Sequence, residues 1–246
     1  MNILWFSCGA SSAVMTKLCL NEADKIYYCQ TNSEHEDNIR FLEDCEKWFN
    51  REIEIVQSKK YNDVDDVIEG THYLSGVAGA PCTRELKLNV RLENTTVQDI
   101  NYIGYTVEKK EQKRKDRLVK NNPLVKFRFP LIERSIDKNL CLQILNGVGI
   151  ELPVMYQKGY DHNNCLGCVK SGSPKYWNMI RKDFPNIFQK RCEQSRKFGC
   201  RLVVIGKDEN DKSIRIFLDE LENKEYPEIT QDFECDIFCQ SIVNEL

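Results

Sequence analysis

Five of the twelve cysteines in this 246-residue chain stand where a thiol could do chemistry rather than fill a core. Cys165 and Cys168 enclose Leu166-Gly167, a Cys-x-x-Cys knuckle whose glycine permits the tight backbone that turns two sulfurs toward one metal. The same spacing suits a dithiol redox pair. Cys235 and Cys239 form a second pair, and Cys82 follows Pro81 in a stretch rich in small residues. Four thiolates from distant segments can hold an iron–sulfur cluster, and zinc accepts the same set, so ligand type does not choose the metal. Cys19, Cys29, Cys45 and Cys141 lie in apolar or helical contexts and are expected in the core as small hydrophobes. For Cys192 and Cys200 an inert or disulfide-forming role stays open.

A second chemical signal opens the chain. Ile3-Leu4-Trp5-Phe6 is an apolar run short enough for a buried strand, and Ser7-Cys8-Gly9-Ala10-Ser11-Ser12 breaks it before a helix-like stretch from Ala13 to Leu20. Small residues between a strand and a helix N-terminus let an anion approach free backbone N–H groups. The hydroxyls of Ser7, Ser11 and Ser12 would add donors. An ordinary buried strand–turn–helix with capping serines fits the same letters. No Gly-Lys-Ser/Thr follows, so the loop is not a Walker loop.

The elements that must position these residues read as alternating strands and helices. Lys25–Gln30 and Ile53–Val56 read as strands around an amphipathic helix from about Asp37 to Asn50, in which Phe41, Leu42, Cys45, Trp48 and Phe49 recur at helical spacing. Asp63–Glu69 reads as helix, Ile100–Tyr105 as strand, and Glu108–Lys120 as a charged, solvated helix. Another helix runs from about Asp137 to Asn146. This order predicts an α/β fold with a doubly wound, mostly parallel sheet. Its ligand site would lie at the carboxyl ends of the strands, where the Ser7 loop and the Thr31–Glu34 loop fall. Ser173 with Pro174 starts a further helix, and Arg201–Gly206 with Ser213–Phe217 reads as a hairpin. The one boundary, near Gly159, separates residues 1–158 from a cysteine-rich third, 159–246.

Composition narrows the classes. Hydrophobic residues make up 41% and charged residues 30%, the balance of a soluble globular protein. A net charge of −3 argues against wholesale electrostatic binding to nucleic acid. No apolar run reaches membrane-spanning length and no secretory signal pattern opens the sequence, so no membrane and a cytoplasmic location are expected.

Ser7–Ser12 resembles the modified phosphate loop of the adenine-nucleotide α-hydrolase superfamily, which holds the phosphoadenosine phosphosulfate (PAPS) and adenosine phosphosulfate (APS) reductases and the ATP pyrophosphatases. The pyrophosphatase form, Ser-Gly-Gly-x-Asp-Ser, has a second glycine and an aspartate that are absent here. Gly9-Ala10 is similar to the reductase form. Gly76–Lys87 resembles the reductase segment in which cysteine precedes an Arg/Lys-bearing helix, although Pro81 replaces the neighbouring cysteine. Pro130-Leu131-Ile132 and Gly159-Tyr160 continue the likeness, and Tyr105 stands where an arginine is usual. The arrangement from Gly159 through Cys165-x-x-Cys168 to Tyr176-Trp177-Asn178 and Arg181–Pro185 resembles the PAPS-reductase-like proteins of phage genomes.

The resemblance implies an oxidoreductase that binds an adenine nucleotide (PAPS, APS or ATP). Ser7, Gly9, Ser11, Ser12, Thr31 and Ser33 would contact it, with Arg84 and Lys87 on its phosphates. Cys82, Cys165 and Cys168 match three ligands of a 4Fe–4S cluster, and Cys239 would be the fourth. Glu234-Cys235-Asp236-Ile237 is similar to the reductase tail whose cysteine attacks sulfur, without that tail's glycine and histidine. Cys235 would then be the catalytic nucleophile, with Cys235 as a ligand the competing role. A thiol reductant such as a thioredoxin-like protein would complete the cycle. Two rivals keep the fold: ATP-dependent thiolation of a nucleic-acid base, served by the Lys109–Arg117 run, and a non-catalytic nucleotide-binding module stabilised by zinc.

Overall fold

Side chains in the first strand, β1 (Asn2–Phe6), alternate between two cores. Leu4 and Phe6 enter one while Ile3 and Trp5 enter the other, as period-2 geometry requires of a strand covered on both faces. A computed structural model describes residues 1–76, 79–224 and 226 of the chain. After β1 come α1 (Ala10–Leu18), β2 (Lys25–Cys29), α2 (Asn38–Phe49), β3 (Glu54–Val56) and α3 (Val64–Thr71). A helical run then begins as α4 (Pro81–Thr83), widens into a π turn over Arg84–Leu88 and continues as α5 (Asn89–Asn94). Next are β4 (Ile100–Tyr102), α6 (Lys109–Asn121), β5 (Lys126–Arg128), α7 (Pro130–Glu133), α8 (Lys138–Gly147) and α9 (Val154–Gln157). Helices α10 (Pro174–Asp183) and α11 (Pro185–Lys197) precede a hairpin, β6 (Val203–Lys207) and β7 (Ser213–Ile216).

Strands β1 to β5 form one parallel sheet in the order β3-β2-β1-β4-β5, and β6-β7 stand apart as an antiparallel pair. The chain is therefore α/β with a five-stranded, all-parallel central sheet flanked by helices, as the alternating elements predict. On one face Leu4, Phe6, Ile26 and Tyr28 pack against α1, α2 and α8; on the other Ile3, Trp5, Tyr27 and Cys29 meet Val90 of α5 and Leu118 of α6. Trp5 Nε1 donates to Asn101 Oδ1 at 2.8 Å in the buried β1–β4 seam, which satisfies the indole in place of water. Cys19, Cys29, Cys45 and Cys141 are all buried in these cores, in line with their apolar contexts.

A third core joins residues on both sides of Gly159. Val67, Ile68 and Leu86 pack with Trp177, Ile180 and Val203, so the segment after β3 and the last third of the chain share one interior. Among the described residues no helix is long and apolar enough to cross a membrane.

Two boundaries differ from expectation, for one reason. Helix α1 begins at Ala10, three residues before Ala13, and β4 stops at Tyr102 instead of Tyr105. Gly104 lies against the first turn of α1, where a Cβ would come within 2.9 Å of Ser12 Cα and 3.0 Å of its nitrogen. The strand end is thus given over to close backbone packing on the helix start, which only glycine allows.

Candidate functional site

The strand order reverses between β1 and β4, and a cavity of about 320 Å³ opens there at the carboxyl ends of the strands. Its floor is the Ser7–Ser12 turn. Cys8 takes the left-handed conformation (φ 50°), and Gly9 is the N-cap of α1 without any side-chain cap. Ser12 shapes the turn: its Oγ accepts from Ser7 N and Ser7 Oγ, each at 3.1 Å, and donates to Gly9 O at 2.9 Å. Ser12 is therefore occupied within the loop, while Ser7, Gly9 and Ser11 line the cavity beside it. The start of α1 adds backbone N–H groups, the usual device for holding an anion. Tyr156 caps the same turn from above, since a Cβ on Gly9 would meet its hydroxyl at 3.3 Å. Burial pushes that hydroxyl up to about 12, so it is a neutral donor and acceptor at physiological pH.

Four cations line the cavity: Lys87 from the π turn, Lys110 and Arg114 from α6, and Lys138 from the start of α8. Glu34, Glu108 and Glu111 oppose them, so the wall is mixed with a slight positive excess. Arg114 is fixed by Glu111 at 2.8 Å and lies 4.5 Å over the Tyr105 ring. Burial lowers the Lys138 ammonium below its ordinary value. His162 is pushed down to about 4, first by burial and then by Lys138, Lys110 and Arg114, and so is neutral at pH 7. Both shifts describe a site that would gain by admitting negative charge. Asn163 adds an acceptor: its Nδ2 donates to Cys8 O (2.7 Å) and Asn38 Oδ1 (2.6 Å), while its buried Oδ1 has no hydrogen-bond partner among the described residues.

The thiols meet next door. Cys82 on α4 and Cys165 and Cys168 on the loop after α9 line one narrow gap of about 10 Å³ together with Thr31 and Lys87. Gly167 gives the knuckle its turn at φ 61°, and a Cβ there would strike Ile187 Cγ2 at 2.6 Å. Tyr176 OH accepts from Cys168 N (2.8 Å) and donates to Cys165 O (3.4 Å). Arg191 donates to Gly167 O at 2.9 Å and pairs with Asp65, whose carboxyl it helps hold below the ordinary range against the effect of burial. Cys165 Sγ lies 3.1 Å from Thr31 Oγ1. Three thiols on one gap fit a soft metal in donor type. In geometry, the described residues hold no group of three or more His, Cys, Asp or Glu set around a metal position. Such a volume admits one small ion or water.

Of the residues singled out in the sequence, Ser7, Gly9, Ser11, Ser12 and Lys87 line the cavity, and Cys82, Cys165, Cys168 and Thr31 line the gap. Ser33 Oγ accepts from Val64 N at 2.9 Å and its carbonyl from Leu166 N at 2.8 Å, which ties the β2 loop to α3 and to the knuckle. Arg84 is exposed and lies outside the cavity wall. Cys235 and Cys239 lie outside the described residues.

Sequence reading missed Lys138, Tyr156, His162 and Asn163, and placed Lys110 and Arg114 only within a charged, solvated helix. A sharper signal existed for those two. Lys110, Arg114 and Leu118 follow one another at i, i+4, i+8, and Leu118 is the one buried residue of α6, so the three lie along one side of the helix, from the exposed Lys110 to the buried Leu118. Comparison with family models and with curated proteins finds no match for this chain.

Proposed function

We propose that this chain is a nucleotide-binding enzyme of sulfur chemistry, similar to the PAPS/APS reductases, with an adenine-nucleotide α-hydrolase type of sheet domain and a cysteine-rich C-terminal part acting in the cytoplasm. One observation carries the reading: Lys87 lines both the basic cavity and the thiol gap, so an anion held on Lys87 would lie beside sulfur. The N–H groups at the start of α1, with Ser7 and Ser11, would hold a phosphate. Lys87, Lys110, Arg114 and Lys138 would neutralise the rest of a phosphosulfate. Asn163 Oδ1 and the glutamates would orient the nucleoside.

In this reading the thiolate of Cys235 attacks the sulfur of the sulfonucleotide. A sulfur–sulfur bond forms, the sulfur–oxygen bond to the phosphate breaks, and the nucleotide leaves on that oxygen. A dithiol protein of the thioredoxin kind then reduces the enzyme thiosulfonate, releasing sulfite and Cys235 and becoming a disulfide. In this reading Cys82, Cys165, Cys168 and Cys239 would be the ligands of an iron–sulfur cluster, with zinc the alternative; a cluster would require the gap of about 10 Å³ to open, whereas a single zinc ion matches its volume.

Sulfite release from PAPS or APS tests the proposal. Cys235→Ser removes it while metal content is retained; loss of metal in that variant would instead make Cys235 a ligand and overturn its role as nucleophile. A second reading, ATP-dependent base thiolation, draws support from Lys109, Lys113 and Lys120, which are exposed on α6 outside the cavity. Pyrophosphate release from ATP that requires added RNA or DNA would select it.

A further inference from the structure

A second cavity, of about 240 Å³, adjoins the first and is not used by the reading above. The two share Lys110, His162 and Asn164, and the second also reaches Cys165, so it adjoins both the basic cavity and the thiol gap. Its wall combines two kinds of surface. Lys110 and Lys175 supply positive charge against the single carboxylate of Asp161. Ser171 is only 5% exposed and takes a long 3.4 Å hydrogen bond from Ser173 N, which leaves its own proton for an occupant. The rest is apolar: Met155, Met179 and the rings of Tyr160 and Tyr176. Both phenols are already engaged, Tyr160 with Asp183 at 3.1 Å and Tyr176 with the knuckle, so these residues offer ring surface more than donors. The volume is below the roughly 300–1,000 Å³ of sites for drug-sized ligands, which favours a small molecule over a second nucleotide.

We propose that this cavity binds a small organic anion with an apolar body, alongside the ligand of the first cavity and against Cys165. The lysines and Ser171 would take its carboxylate, sulfonate or phosphate, and the methionines and tyrosine rings its apolar part. The proposal does not require that the first cavity hold a nucleotide.

The four methionines allow a direct test, because Met155 and Met179 line the cavity while Met15 is buried in the sheet core and Met1 is exposed. Phenyl phosphate is titrated into protein labelled with carbon-13 at the methionine methyls. The Met155 and Met179 signals should shift saturably, with Met1 and Met15 unmoved. Inorganic phosphate, which lacks the apolar body, should bind at least about tenfold more weakly, and Lys175→Ala should weaken phenyl phosphate roughly fivefold. Unmoved Met155 and Met179 signals, equal binding of inorganic phosphate, or an unchanged affinity in Lys175→Ala would each overturn the proposal. A parallel titration with adenosine 5′-phosphate separates the two claims: its failure while phenyl phosphate binds would sink the nucleotide reading and leave this one standing.

Discussion

The basic cavity and the thiol gap touch at Lys87, yet they are built by different means. The cavity follows from topology: a reversal of strand order, a strand end at Gly104 and a helix start at Gly9 leave a space lined by main chain, and side chains then charge it. The gap follows from side chains of three separated segments, Thr31, Cys82 and Cys165–Cys168, held shut by Tyr176 and Arg191. A backbone-built cavity of about 320 Å³ has room for a ligand as it stands, whereas a side-chain-built gap of about 10 Å³ would have to open to take more than one small ion or water. If the cavity binds a nucleotide and the gap serves sulfur chemistry, as proposed, substitutions should damage the two separately.

The largest separation should come from the supports. Arg191→Met leaves Gly167 O without its side-chain donor and Asp65 with only Lys190 and Gln194, and should cost about 1–3 kcal/mol in denaturant unfolding. Cys165 and Cys168 should then alkylate faster in native protein, while affinity for adenosine 5′-phosphate changes little. Gly104→Val does the reverse. Its side chain meets the backbone of Ser12, so it should destabilise by about 1–3 kcal/mol and abolish nucleotide binding while thiol alkylation stays slow. Matching losses of both properties in either variant would show that the two regions are one unit.

Smaller effects sharpen the electrostatics. Arg114→Ala should weaken nucleotide binding about tenfold, and Lys113→Ala, on the exposed side of α6, less than twofold by the same calorimetric titration. His162 gives a pH signature. Its folded value is lowered to about 4 while the unfolded chain titrates near the ordinary 6.5, so the unfolded state binds more protons between those values. Stability is therefore fully present above pH 6.5 and is lost as the pH falls toward 4, by up to about 3 kcal/mol. His162→Gln should flatten that limb of the pH–stability curve. A bound phosphate offsets Lys138, Lys110 and Arg114, so nucleotide binding near pH 5.5 should take up a fraction of a proton, which buffer-dependent calorimetric enthalpies would detect.

The parallel sheet was legible because β1 and β2 are apolar runs and α2 carries a clean helical stripe. The Ser7–Ser12 turn was legible because small residues between a strand and a helix leave few other conformations. The convergence of Cys82 with the Cys165–Cys168 knuckle came from resemblance, since no local pattern connects residues so far apart in sequence. Lys138 and His162 could not be found in this way: each stands in a polar stretch, and only tertiary packing brings them over the β1–β4 crevice. The resemblance offered Arg84 and Lys87 alike as phosphate contacts; Lys87 lines the cavity, while Arg84 is exposed outside its wall.

In the proposed function Lys87 joins an anion site to the thiols. Calorimetric titration of adenosine 5′-phosphosulfate into wild-type protein and into Lys87→Ala tests it most directly. One-to-one binding that weakens about tenfold in the variant is the predicted result. No binding to the wild type, or equal affinity in both proteins, would contradict it.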